Sequence, residues 1–360
     1  MVQSHYITGM FSRMREIRAR FRCRARRLAP AILLLSMAAS EVAASDSAVF
    51  LMYHRFGEGD YPSTSVTLKQ FDAHIALLTS GPYTVLPASE IVAAMQAGTP
   101  LPDRTVAISI DDAFLSVYEQ AWPRLRKAGL PFTVFVATQP VDRGTSRYMN
   151  WDQIREMKAA GVTIGAHTES HLHMTRADKA ETQGELERSK VRFLAELGES
   201  PELFAYPYGE ASSVVRDQAI KQGYTAAFGQ HSGVGYRSGD RYFLPRFPFN
   251  EKFGDMAHFR QRVDAMALPP IEITPADPLI AANPPAFGFT VNGSIAGLDR
   301  LACYHPQFDA IRVERLGTSR FEIRFPGPFR PGRSRLNCTV PGPDNRYRWF
   351  GWQFYVHDNR

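Results

Sequence analysis

From residue 48 to about 268, short apolar runs alternate with amphipathic stretches. The runs AVFLMYH (48–54), VAISID (106–111), PFTVFVAT (131–138), VTIGAH (162–167), LFAYPY (203–208) and TAAFG (225–229) are mostly apolar on both faces. A parallel sheet covered on both sides requires this pattern. Between them the periodicity predicts helices near 67–80, 88–97, 114–128, 151–160, 175–197, 212–222 and 254–266. Asn150 followed by Gln153 reads as a helix start with a capping box. The repeated strand–helix order predicts an α/β fold, a barrel with its working residues at the strands' C-terminal ends. Residues 268–285 carry six prolines and read as an extended linker. From 286 to 360 the runs FGFTVNG, AIRVERL, RFEIRF, SRLNCTV and RWFGWQFYV alternate and are broken by Gly/Pro turns. That pattern predicts a small antiparallel β-sandwich.

Charge changes the picture only once it is located. The 360 residues carry 42 Lys+Arg and 36 Asp+Glu, a net +6. Residues 1–44 hold eight arginines, Arg13 to Arg27, against Glu16 and Glu41, so 45–360 are neutral overall. No nucleic-acid partner is therefore expected. Leu28 to Ala39 is apolar, and small residues follow up to Val42-Ala43-Ala44. This is the order of a secretory signal, and a run of about 12 residues falls short of the roughly 20 that span a bilayer. Residues 1–44 are expected to be a signal peptide, or else an uncleaved N-terminal anchor. The mature chain would have no transmembrane span and would be exported to the periplasm or beyond. Cys303 and Cys338 are then either a disulfide or two buried thiols. The remaining charge is divided, with 23 basic and 28 acidic residues in 45–279 but 11 and 6 in 280–360.

Four predicted strand ends carry chemistry. Asp111 and Asp112 are adjacent, so their side chains point to opposite sides, and one can ligate a metal while the other acts as a base. His167 and His171, four apart in HTESH, can reach one ion. One carboxylate added to them makes a two-His, one-carboxylate set with open positions. In Phe204-Ala205-Tyr206-Pro207-Tyr208-Gly209 the Pro and Gly suggest a fixed turn that could aim a backbone N–H at a developing oxyanion. His54 at the end of the first run can serve as a general acid. Taken singly, each has a bland reading: a turn, a surface pair, a βα connection, a rim histidine. Their joint position at four converging strand ends is what separate bland readings do not explain.

Ser109-Ile110-Asp111-Asp112-Ala113 resembles the TFDDG motif of polysaccharide deacetylases, the carbohydrate esterase family four or NodB-homology group. HTESH matches that family's H-[ST]-x-x-H motif, and residues 204–209 resemble its F-R-x-P-Y-G motif. With LMYHRF and MNWDQI, the chain is most similar to the biofilm poly-N-acetylglucosamine deacetylases. The resemblance implies a distorted (β/α) barrel over 45–267, with circularly permuted motifs that bring the acid, His54, from the first strand. It implies Asp112, His167 and His171 as ligands of a divalent metal, with zinc the first expectation and cobalt, nickel or iron also suited. Asp111 becomes the base, and the Tyr208 N–H an oxyanion donor. Trp151 and Tyr208 are candidates to stack on a sugar, whereas His173 is read as a bystander. The implied substrate is an N-acetylated polysaccharide.

Two positions depart from the family pattern. Ala113 replaces the usual glycine, and Ala205 replaces an arginine that positions the base; Arg246 could supply the missing charge. These departures keep open a non-catalytic glycan-binding or assembly protein on the same fold. A metal-dependent esterase or amidase acting on a small molecule is a third reading. Trp349, Trp352 and Tyr355 with nearby arginines form either a core strand or a glycan-binding face.

Overall fold

The computed structural model describes residues 44–291 and 294–357. The signal-type segment expected over 1–44 lies, apart from Ala44, outside the described residues. The described residues form one compact unit. No helix among the described residues is long and apolar enough to cross a membrane.

Six parallel strands follow one another in chain order across a curled sheet: β1 (Ser47–Tyr53), β2 (Thr105–Asp111), β3 (Thr133–Val136), β4 (Thr163–Ala166), β5 (Leu203–Ala205) and β6 (Ala226–Phe228). Almost every strand residue is buried, which is why the sequence shows continuous apolar runs rather than alternation. Beyond β6 the segment 244–248 bridges the gap. Leu244 pairs with Phe228 on one side, and Phe247 and Pro248 pair with Leu51 and Met52 of β1 on the other. The inside of the curl is filled by Phe50, Phe135 and Phe228 together with Ile91, Val92 and Met95 from helix α1 (Ala88–Ala97).

The other helices cover the outside. The helix at Trp151–Ala159, α2, starts on the capping box expected from Asn150 and Gln153. The helix expected from 175 begins later, as α3 (Lys179–Leu197), because Asp178 caps it and the preceding residues form a loop. The run 114–128 is not one α-helix: a π-helical turn, Val117–Ala121, precedes Trp122–Ala128.

Two four-stranded sheets follow. The first contains β7 (Pro270–Thr274), β8 (Phe287–Val291), β9 (Arg312–Leu316) and β10 (Arg320–Arg324), in the order β7-β8-β10-β9, all antiparallel. The second joins Ala302–Tyr304 to β11 (Gly332–Pro341), β11 to β12 (Tyr347–Val356), and β12 to Met266–Ala267. The proline-rich stretch is thus more than a linker, because it contributes β7. Its Pro270 occupies the first residue of an edge strand, a place where a missing N–H costs no ladder bond. Cys303 and Cys338 lie directly opposite each other and are joined as a disulfide.

Strand β12 is buried on both faces, which resolves the WFGWQFY run as core. Phe350, Trp352 and Phe354 meet Phe287 and Phe289 of the facing sheet. On the other face Trp349 meets Phe247 of the curled sheet, with ring centroids 5.1 Å apart. Gly351 is required there, since a Cβ would lie 1.7 Å from the Ser232 carbonyl oxygen. Arg346 adds polar bonds across the same junction, to the Asp264 carbonyl and to both Asp103 oxygens.

His74 gives the outer core a pH dependence. Its Nε2 donates to the Gly254 carbonyl, its Nδ1 accepts from the Tyr53 hydroxyl, and its ring stacks on Phe259. Burial, against smaller opposing contributions from Gly254 and Asp255, lowers its pKa to about 4. A depressed histidine stabilises the fold fully above its unfolded value near 6.5 and loses that contribution as pH falls toward 4. Between pH 7.5 and 4.5 this should remove roughly 2–3 kcal/mol. Urea unfolding at the two pH values should show the loss in the wild type and a smaller slope in His74→Gln.

Candidate active site

The expected site residues emerge from the ends of β1, β2, β4 and β5. After β2 the chain turns through Asp112 and Ala113, both in the left-handed region, at φ 75° and 56°. After β4 the same happens at Thr168 and His171, and after β5 at Tyr208. Five of the nine non-glycine residues with positive φ among the described residues are therefore in these three turns. Each costs about 1–2 kcal/mol, and such strain persists where the surroundings over-determine the backbone. The usual glycine at position 113 is now explained: the position demands φ > 0, and Ala113 adopts it with its methyl fully buried.

Asp112, His167 and His171 come together. The Asp112 Oδ1 lies 3.2 Å from His171 Nε2 and 3.5 Å from His167 Nε2. One ligand atom from each falls within 4.8 Å of the others. His167 is fully buried, and its Nδ1 donates to the Ala205 carbonyl at 2.6 Å. That bond fixes the tautomer and leaves the Nε2 lone pair pointing at the cluster, where it has no hydrogen-bond partner. A buried, unsatisfied ring nitrogen facing a carboxylate is a donor set that fits a divalent cation. The HTESH loop is anchored from α3, where Glu185 accepts bonds from the backbone N–H and the hydroxyl of Ser170, both at 2.8 Å. No motif marked Glu185 in the sequence.

Asp111 points the other way, into the curl, and is fully buried. Arg246, from the bridging segment, meets it in a bidentate pair at 2.6 and 2.7 Å. The guanidinium also donates to Ser109 Oγ and the Gly229 carbonyl, so it is held in the same orientation by four acceptors. Burial would raise the Asp111 pKa; Arg246, His167 and His54 together hold it below the usual carboxylate range. His54 Nε2 stands 3.9 Å from Asp111 Oδ2. Burial lowers the His54 pKa despite both neighbouring aspartates. Asp112 is held well below the carboxylate range, its desolvation outweighed by His167 and His171.

Tyr208 sits beside the metal-type cluster, its ring 4.4 Å from that of His171. His173 lies flat on it at 3.7 Å and bonds through Nδ1 to the buried carboxylate of Glu210. The supposed bystander therefore packs the Tyr208 ring, which is not an open stacking surface. Trp151 needs a correction too. It is 8% exposed, its indole donates to Asp142, and its ring meets Phe193 edge-on, so no face is left for a sugar.

Residues 98–227 match the family model of polysaccharide deacetylase. YxkH of Bacillus subtilis, which carries a polysaccharide deacetylase description, is 28% identical over 196 residues, covering 54% of this chain and 69% of YxkH. The poly-beta-1,6-N-acetyl-D-glucosamine N-deacetylase of Staphylococcus aureus is 27% identical over 233 residues, covering 56% and 78%. Among solved structures, IcaB from Ammonifex degensii superposes with a TM-score of 0.54 at 26% identity, covering 59% of this chain and 96% of that one. The Streptococcus pyogenes deacetylase PplD, solved with acetate, has the same fold at a TM-score of 0.56 and 21% identity, covering 60% and 98%.

The Arg246–Asp111 pair yields a stability test. Removing one partner of a buried pair leaves an uncompensated charge, at a cost of about 3–5 kcal/mol. Arg246→Met should lose that much in urea unfolding at pH 7.5. Adding Asp111→Asn, which removes the stranded charge, should recover part of it.

Proposed function

This chain carries a polysaccharide deacetylase domain, and from that premise we propose that it is an exported, metal-dependent hydrolase. It removes N-acetyl groups from an amino-sugar polymer such as poly-N-acetylglucosamine. The observation that carries the reading is the juxtaposition of two sets at neighbouring strand ends: Asp112 with His167 and His171, and Asp111 with Arg246 and His54. The amino-sugar polymer is supported by similarity to the staphylococcal enzyme over 56% of the chain. Export is supported by the arginine-then-apolar order of residues 1–44 and by the Cys303–Cys338 disulfide, a bond typical of oxidising compartments. The two C-terminal sheets are read as a small β-sandwich, and His54 on the first strand as the sign of a permuted motif order.

A divalent ion such as zinc, held by Asp112, His167 and His171, would acidify a water and polarise the acetamide carbonyl. Asp111 takes a proton from the attacking water. Arg246 keeps both Asp111 oxygens fixed and the carboxylate ionised, so the base is oriented before substrate arrives. His54, whose Nε2 stands 3.9 Å from Asp111 Oδ2, takes up the proton that leaves the attacking water by way of Asp111 and delivers it to the departing amine. The Tyr208 N–H, which has no hydrogen-bond partner among the described residues, donates to the oxygen of the tetrahedral intermediate. The C–N bond breaks, leaving acetate and a free amine on the glycan.

Acetate release from β-1,6- and β-1,4-linked N-acetylglucosamine oligomers, with and without a chelator, tests this. The wild type should bind one divalent ion and lose activity when it is removed. Asp112→Ala should lose both binding and activity. Asp111→Asn should keep the ion while kcat falls about 10²–10⁴-fold, the range for a lost general base. Retained ion binding and activity in Asp112→Ala would refute the assignment.

A further inference from the structure

The turn at Tyr208 is strained, with φ 60° and ψ 3°, and Gly209 follows at φ 69°. The glycine is obligatory, because a Cβ there would come within 2.4 Å of the Gln230 backbone nitrogen. Within the turn, Gly209 N donates to the Tyr206 carbonyl and Glu210 N to that of Pro207. The carbonyls of Tyr208 and Gly209 themselves face the sheet that contains β11 and β12 and are bonded by it. Gln353 of β12 donates through Nε2 to Gly209 O at 2.7 Å and more weakly to Tyr208 O at 3.4 Å. Arg333 of β11 donates to Tyr208 O at 3.2 Å, with its guanidinium 5.5 Å from the Tyr208 ring centroid.

The Gln353 amide is not free to flip. Its Oε1 accepts from Arg335 Nε at 2.9 Å, which commits Nε2 to the turn. Gln353 is 1% exposed, and Arg335 sits opposite it in the β11–β12 ladder. A second tie runs alongside, from Arg176 Nε to the Tyr355 hydroxyl at 2.6 Å. The polar face of β12 is therefore shaped to the loops that carry the candidate site, and β12 is further clamped by the Phe247–Trp349 contact.

We propose that Gln353 and Arg333 are positioning residues for catalysis. They hold the carbonyls of the strained turn so that the Tyr208 N–H stays aimed at the oxyanion. The sheet of β11 and β12 is thus a working part of the active site. The inference rests on the deacetylase reading given above. The Tyr208 N–H shares its peptide with the Pro207 carbonyl, which Glu210 N holds, so release of the two following carbonyls lets the left-handed turn relax and, through Glu210, frees that peptide to rotate. An oxyanion donor displaced by about 1 Å weakens transition-state stabilisation far more than substrate binding.

The test uses the full chain, Co²⁺ titration, thermal unfolding and steady-state acetate release from β-1,6-linked N-acetylglucosamine oligomers. Gln353→Glu keeps the side-chain shape and the Arg335 bond while removing the donor. Its kcat should fall roughly ten- to a hundredfold with KM changed less than about threefold, the pattern of a lost transition-state contact. Co²⁺ affinity should stay near wild type, while the melting temperature falls by several degrees because the buried Gly209 carbonyl loses its donor. Arg333→Met, at a partly exposed side chain that does not carry the fold, should show the same split with a smaller loss, roughly three- to tenfold. Unchanged kcat in both variants overturns the inference, as does a kcat loss matched by lost Co²⁺ affinity, which would signal general collapse. If Gln353→Glu does not fold, the kcat–KM split in Arg333→Met decides. A wild type that binds Co²⁺ but releases no acetate overturns the deacetylase reading itself, and this inference with it.

Discussion

The buried pair of Asp111 and Arg246 is the constraint around which the rest is arranged. A carboxylate with no solvent exposure is tenable only with an equally committed cation, and the guanidinium supplies one with two parallel bonds. The pair also has a topological effect. Asp111 ends β2, whereas Arg246 belongs to the segment that bridges β6 and β1. Satisfying the charge therefore requires the sheet to curl until its two margins approach. The curl then brings the ends of β1, β2, β4 and β5 to one rim, where His54, Asp112, His167 and Tyr208 emerge. Ser109 and the Gly229 carbonyl complete the arginine's bonding, so the cation has no alternative partner to relax toward. Lysine could not do this, having neither the planar fork nor enough fixed donors.

Much of this was legible in the sequence because burial leaves a period. Strands covered on both faces read as unbroken apolar runs, and all six were located within a few residues. The motif residues were legible because strand ends in such a fold share a rim. What escaped depends on contacts between distant segments. Glu185 lies mid-helix and looks like any solvated glutamate until the HTESH loop folds onto it. His173 looked redundant because its partners, Tyr208 and Glu210, come from another strand end. Trp151 misled in the opposite direction: an aromatic at a helix start beside a motif suggests a platform, but Phe193 and Asp142 enclose it. The prolines of 268–285 pointed to a linker because composition does not distinguish an edge strand that begins on proline.

The C-terminal unit illustrates a related ambiguity. In WFGWQFY the alternation is masked, because both faces of β12 are buried, one against the facing sheet and one against the deacetylase fold. Aromatics serve the first face. The second mixes Trp349, Gly351, Gln353 and Tyr355, a set that is neither a core stripe nor a sugar platform by composition. Its logic is visible only when the opposite surface is present: a glycine where backbones touch, an amide where two carbonyls need a donor, a tyrosine hydroxyl where an arginine arrives.

The two departures from the family pattern bear on whether the site works. Loss of glycine at 113 costs strain but not geometry, since Ala113 holds the left-handed conformation there. Loss of arginine at 205 is more serious in principle, since in the family pattern that charge orients the residue matching Asp111, the proposed base. In this chain the charge comes instead from Arg246, whose guanidinium lies within 6 Å of the Phe135 and Phe228 ring centroids. Ala205 is fully buried in the same interior cluster as those rings, and Asp111 has only two oxygens to offer. A second guanidinium from position 205 would compete with Arg246 for the single Asp111 charge and leave the interior with an uncompensated cation. The small residue at 205 and the arginine at 246 are therefore two halves of one solution. Apolar residues of similar volume would be at least as stable as a buried charge pair, so fold stability alone does not account for Asp111 and Arg246. On the proposed reading, the cost of keeping Asp111 ionised is explained by its role as the base.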